Sequence, residues 1–182
     1  MNPPNLLSFL RILSVPFLIW LLLEEHATLA LWLFIGAGVT DALDGFIAKR
    51  WQMESELGRY LDPIADKLLL LSGFITLTYL DLLPLWMTLL VVTRDVVIVG
   101  GALLFQVITG RLQIKPLWIS KFNTVNQILL LGLVLLQAST QTMYGWLEPL
   151  LWLTALTTLF SGLSYFVTWG RIATQQEGMG HA

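Results

Sequence analysis

Residues Asp41–Lys67 read DALDGFIAKRWQMESELGRYLDPIADK, and this stretch decides the fold. Its four aspartates, Asp41, Asp44, Asp62 and Asp66, stand between long apolar runs. A charged side chain at the centre of a bilayer-spanning helix costs roughly 2.5–3.5 kcal/mol on insertion scales. Four carboxylates therefore call for counter-charge. Asp41 and Asp44 are three apart, about 60° in helical azimuth, and Asp62 and Asp66 are four apart, about 40°. If the first pair ends one helix and the second begins the next, antiparallel packing across the short connection sets the pairs face to face. Carboxylate oxygens are hard ligands suited to Mg²⁺ or Mn²⁺, and two divalent ions balance four such charges. A paired-ion carboxylate site is suited to phosphoryl transfer. The other reading is an acidic, solvated loop. Phe46, Ile47 and Ala48 after the first pair, and Ile64 and Ala65 inside the second, argue against it.

The small residues around the aspartates leave two readings open. Gly45 follows Asp44, Gly58 lies one turn before Asp62, and Ala48 shares the region. They serve either close helix packing or the approach of a bulky ligand. Pro63 is tolerated in a membrane helix as a kink or near a helix start.

Outward from this stretch the chain is apolar. Of 182 residues 56% are hydrophobic and 12% charged, against about 25% charged in a soluble domain, and the mean hydropathy is +0.74. At about 20 residues per transmembrane helix the length allows roughly six spans. Apolar runs fall at Leu6–Leu23, Thr28–Thr40, Lys67–Leu80, Leu85–Gln106, Phe122–Leu136 and Trp146–Thr168. The expected architecture is all-α: one domain of six transmembrane helices over 1–172, then a polar, frayed tail over 173–182. There is no cysteine, which excludes disulfides and thiol chemistry, and the two histidines, His26 and His181, lie too far apart in sequence to suggest a metal pair. No A-x-A cleavage site follows the first apolar run, so it is expected to stay as an anchor.

The cations set an orientation. Arg11, Lys49, Arg50, Arg59, Lys67, Arg94, Arg111, Lys115, Lys121 and Arg171 are all the Lys and Arg of the chain, and with six spans they lie on or near one side. The opposite connections hold Glu24, Glu25, Asp81 and Glu148 and no Lys or Arg. The positive-inside rule makes the basic side cytoplasmic, with both termini and the aspartates facing it. Trp20, Trp32, Trp86 and Trp146 fall near outer span ends and Trp51, Trp118 and Trp169 near inner ones, as interfacial anchors do. Trp152 lies deeper and reads as packing.

At the aspartates the chain resembles the CDP-alcohol phosphatidyltransferase family, whose signature is D-x-x-D-G-x-x-A-R-x8-G-x-x-x-D-x-x-x-D. Asp41, Asp44, Gly45, Ala48, Gly58, Asp62 and Asp66 fill it with the spacing intact. Lys49 stands where the family usually has Arg. This keeps the charge but not the bidentate fork, though Arg50 follows directly. Pro4, Asn5, Ser8, Arg11 and Pro16 are similar to the family's amino-terminal P-N-x-x-T/S-x-x-R.

The resemblance implies transfer of a phosphatidyl group from CDP-diacylglycerol, or another CDP-alcohol, to an alcohol acceptor with loss of CMP. It implies two ions, Mg²⁺ or Mn²⁺, on Asp41, Asp44, Asp62 and Asp66, with Asp66 also the general base. Asp41, Asp44, Gly45, Ala48, Lys49 and Gly58 would hold the cytidine diphosphate. It further implies a homodimer. The apolar composition places the chain in a lipid bilayer, the lack of an Arg-rich, Ser-rich transit segment makes a bacterial cytoplasmic membrane the expected one, and no nucleic-acid partner is expected. Arg94 next to Asp95 is either a self-compensating pair or, with Arg111, Lys115 and Lys121, a pocket for an acceptor's phosphate. TRDVVIVG (93–100) and RLQIKPLWISKFNT (111–124) look most like the branch that uses phosphatidylglycerol as acceptor, the cardiolipin synthases. They also resemble the phosphatidylglycerophosphate synthases, which use sn-glycerol 3-phosphate. Two rivals of other classes are a divalent-cation transporter, since intramembrane acids also mark ion paths, and a non-catalytic membrane scaffold. The acids keep to one edge and the outer halves of the spans are apolar, which weighs against a path.

Overall fold

A computed structural model describes residues 3–51, 56–109, 118–142 and 144–179, with side chains described over 8–42, 62–101, 118–142 and 144–165. Among the described residues there are six α-helices: α1 (Pro3–Leu23), α2 (Ala27–Trp51), α3 (Glu56–Tyr79), α4 (Leu85–Thr109), α5 (Trp118–Thr140) and α6 (Leu147–Met179). Each covers one of the six apolar runs to within one residue and extends beyond it at one end or both. The extensions matter most in α2, which carries Asp41 and Asp44 as helix rather than loop, and in α3, which carries Pro63 inside it. α6 continues past the apolar run that ends at Thr168 to Met179, so the polar segment expected to fray is helical up to that point. Ala173, Gln175, Gln176 and Glu177 are strong enough helix formers to carry it.

Three helix ends close on residues with positive φ, Glu25 (60°), Asp81 (58°) and Gln141 (52°). At the end of α1 the His26 N–H reaches the Leu21 carbonyl at 2.8 Å and the Glu25 N–H the Leu22 carbonyl at 3.1 Å. At the end of α3 Leu82 and Asp81 make the equivalent bonds to Leu77 and Thr78, at 2.9 and 3.1 Å. Both are Schellman caps. Using L-residues rather than glycine at the left-handed position costs roughly 1–2 kcal/mol each.

Contacts gather the helices into two units. The first comprises Met1–Pro84 with Ile128–Leu147, and in it α1 packs on both α2 and α3. Its core is a set of helical stripes: Leu18 and Leu22 of α1, Ala30, Leu31, Phe34 and Ala37 of α2, Ala65, Leu69, Phe74 and Leu77 of α3, and Leu130, Leu131, Val134 and Leu135 of α5. Gly73 lets α3 approach α5, since a Cβ there would stand 2.7 Å from a Leu131 methyl.

The second unit comprises Leu85–Gln127 and Glu148–Ala182. Its buried interior is mostly polar: Thr88, Arg94, Asn123, Asn126, Gln127, Thr154, Thr157, Thr158 and Ser161. Thr157 and Thr158 donate to the Asn123 side-chain carbonyl at 2.9 and 2.8 Å. The side-chain amide nitrogens of Asn123 and Gln127 find no hydrogen-bond partner among the described residues. Trp152, expected to pack, does so against Trp86 with ring centroids 5.4 Å apart, yet more than half of its surface is exposed.

The outer faces of both units are apolar. Phe9, Leu10, Leu13, Phe17 and Trp20 are exposed along α1, and Leu156, Leu159, Phe160 and Leu163 along α6. Among the described residues one helix, α5, is long and apolar enough to cross a membrane by length and composition alone, and Ser8–Leu23 of α1 and Ala27–Ala42 of α2 are shorter apolar stretches.

Candidate active site

α1 supplies the base of the site. Ser8 and Arg11 lie three apart, so both face the same side of the helix, and both are buried. The Ser8 hydroxyl donates to the Asp62 carboxylate on α3. Arg11 Nη1 lies 2.8 Å from Asp41 Oδ1 on α2 and 2.8 Å from Asp66 Oδ1 on α3. Asp62 and Asp66, one turn apart on α3, thus meet one turn of α1, and Asp41 joins them from α2. The two Oδ1 atoms are no farther apart than about 5.6 Å, twice the 2.8 Å reach of the shared nitrogen. These are charge-assisted hydrogen bonds, stronger than neutral ones. The arginine side chain is 2% exposed while those of Asp41 and Asp66 are 43% and 42% exposed. The cation forms a buried floor and the carboxylates remain open above it.

Three of the four aspartates are accounted for in this way. Asp44 lies on α2, as do Gly45, Ala48 and Lys49, and Gly58 lies on α3, but the side-chain surroundings of all five fall outside the described residues. Among the described residues no three His, Cys, Asp or Glu side chains close around one point as a metal site. The chemistry of the donors fits a divalent ion all the same, because hard oxygens of Asp41 and Asp66 already converge on a single cationic atom.

The second unit places the other predicted residues. Arg94 is buried and spends its donors internally. Nη1 reaches Asp95 at 2.6 Å, Nε and Nη2 reach the Ser161 hydroxyl at 3.2 and 2.8 Å, and Nη2 also donates to Ser120. Of the two readings of Arg94 the self-compensating pair describes these contacts. Lys121, next to Ser120, stands with its ammonium 5.3 Å from the Trp118 ring centroid. Arg111 and Lys115 lie outside the described residues.

Sequence reasoning noted Ser8 and Arg11 as part of a motif without giving them partners, and it missed the polar interior around Asn123. The first had a usable signal, an arginine in an apolar helix. The second had none, because Asn and Thr scattered in apolar helices show no partner until the helices are paired.

Residues 1–168 match the family model described as CDP-alcohol phosphatidyltransferase. The chain belongs to that family. Among curated proteins it is similar to the cardiolipin synthase (CMP-forming) of Rattus norvegicus, 38% identical over 180 residues, which is 90% of this chain and 60% of the rat protein. The Homo sapiens protein of the same name is 37% identical over the same shares. A probable phosphatidylglycerophosphate synthase of Mycobacterium tuberculosis is 35% identical over 144 residues, 76% of this chain and 68% of that protein. The chain spans about 60% of the length of the first two relatives.

Proposed function

We propose that this protein moves the phosphatidyl group of CDP-diacylglycerol onto a glycerol-based acceptor that carries phosphate, releasing CMP. The observation that carries the proposal is the meeting of Asp41 and Asp66 on one cation, with Asp62 held on the same face of α1, in a chain of this family. The acceptor hydroxyl attacks the phosphatidyl phosphorus, the bond from that phosphorus to the bridging oxygen breaks, and CMP departs with that oxygen. Asp66 takes the hydroxyl proton, a step of general base catalysis. Asp41, Asp44, Asp62 and Asp66 would hold two ions, Mg²⁺ or Mn²⁺, in keeping with the divalent-metal dependence general in the family. When bound, the ions supply charge stabilisation at the phosphoryl oxygens and the leaving group. Gly45, Ala48, Lys49 and Gly58, with the first two aspartates, line the cytidine diphosphate pocket in this reading. Arg111, Lys115 and Lys121 receive the acceptor's phosphate, while Arg94 orients Ser120 beside Lys121.

All six helices cross a bilayer in this reading, with both termini and the site on the cytoplasmic side of a cytoplasmic membrane. Two features support it: apolar side chains are exposed on the helix faces of both units while the second unit's interior holds Arg94, Asn123 and several threonines, the reverse of a water-soluble domain; and along the sequence the Lys and Arg residues fall on or near the connections assigned to one side. The family resemblance also suggests a homodimer.

The preferred acceptor is phosphatidylglycerol, as the names of the rat and human relatives imply. The mycobacterial relative favours glycerol 3-phosphate instead. Purified protein given CDP-diacylglycerol with each acceptor in turn decides between them by the mass of the lipid formed. Cardiolipin is the expected product, phosphatidylglycerophosphate alone would exchange the acceptor, and neither product would overturn the reaction.

A further inference from the structure

Arg11 occupies the position where the two carboxylates converge. We propose that Arg11 is a resident, displaceable counter-ion: it holds Asp41 and Asp66 together in the metal-free protein and gives them up when a divalent ion arrives. This rests on the reading of the aspartates as the metal site.

Asp41 Oδ1 and Asp66 Oδ1 share one nitrogen at 2.8 Å each, so without a cation two half-exposed carboxylates would face one another unscreened. The guanidinium, buried below them, cancels one of the two charges and holds α1 to α2 and α3. A divalent ion draws hard oxygens to 2.0–2.6 Å, depending on the ion, and it needs these same carboxylates. A guanidinium left in place would then stand against a like charge with its acceptors taken. Metal and arginine therefore compete for one pair of oxygens. The site is pre-shaped by its own arginine and binds metal less tightly than bare carboxylates would.

Release gives Arg11 a second task. Its planar fork matches phosphate geometry in a way a lysine ammonium does not. Freed at the floor of an open carboxylate cleft, it meets the diphosphate of an incoming donor lipid. Metal and donor then favour the same arginine-released state, so each raises the affinity of the other. Arg11 is in this sense a positioning residue that acts through the metal site.

Mn²⁺ binding to the full chain, stripped by chelator and held in detergent, is read from the loss of the free-ion EPR signal. The expected result is that the wild type binds and Arg11→Gln binds about tenfold more tightly, a shift typical of coupled sites. A second measurement uses the wild type alone: phenylglyoxal modification of Arg11, followed by peptide mass spectrometry, is expected to run several-fold faster with Mn²⁺ than with EDTA. It decides the matter alone if Arg11→Gln does not fold. Equal or weaker Mn²⁺ binding by the folded variant, or equal labelling with and without Mn²⁺, overturns the counter-ion role and leaves the metal site standing. Absence of Mn²⁺ binding by either protein overturns the metal reading and this proposal with it.

Discussion

At the scale of single residues the site is a contest between carboxylates and the cations that can satisfy them. Asp66 is hydrogen-bonded to Arg11 and open to the cleft, which suits a group that takes a proton. Asp66→Asn keeps the shape and removes the base. CMP release is expected to fall about 100- to 10,000-fold, the range for losing a general base, while membrane insertion and CDP-lipid binding persist. Near-wild-type turnover would remove Asp66 from the role. Ser8→Ala leaves Asp62 without its hydroxyl donor. A hydrogen bond to a charged group is worth roughly 1.5–3 kcal/mol, so this variant should melt measurably earlier; an unchanged melting temperature would make the contact incidental. The meeting of Asp41 with Asp66 was legible from spacing alone, because three- and four-residue intervals on neighbouring helices leave few other arrangements. The arginine between them was not. A motif shows that an arginine is present but not which charges it faces.

At the scale of helices, hydropathy located all six elements but not their ends. α2 and α6 run on through polar residues because residues that tolerate a helix continue it where the apolar run ends. The breaks at Glu24–His26 and Asp81–Pro84 were legible, but their left-handed caps at Glu25 and Asp81 were not, since a glycine would have announced the turn and neither position has one. Helix approach is testable at Gly73. A Cβ there meets Leu131, itself fully buried, at 2.7 Å. Gly73→Val is expected to destabilise the protein by about 1–3 kcal/mol, the cost of overpacking a filled interior, and adding Leu131→Ala should recover part of the loss. Equal stability of Gly73→Val and wild type in detergent unfolding would show that the two helices do not press together there.

At the scale of the molecule, both units carry apolar outer faces, and the second also has a mostly polar interior, a combination that fits the proposed bilayer setting. Among the described residues α5 qualifies as a span by itself. The chain has no cysteine, so single-cysteine variants report sidedness cleanly. In intact cells, cysteine at Glu24 or Asp81 should react with a membrane-impermeant maleimide, and cysteine at Gln175 should react only after lysis. Labelling of all three from outside would refute the six-span arrangement. The central claim is that the clustered aspartates hold divalent ions on which transfer depends. CMP release from CDP-diacylglycerol by purified protein, first in EDTA and then with Mg²⁺ restored, tests it most directly. The account predicts complete loss and full recovery, with no recovery in Asp41→Ala; undiminished CMP release in EDTA would contradict it.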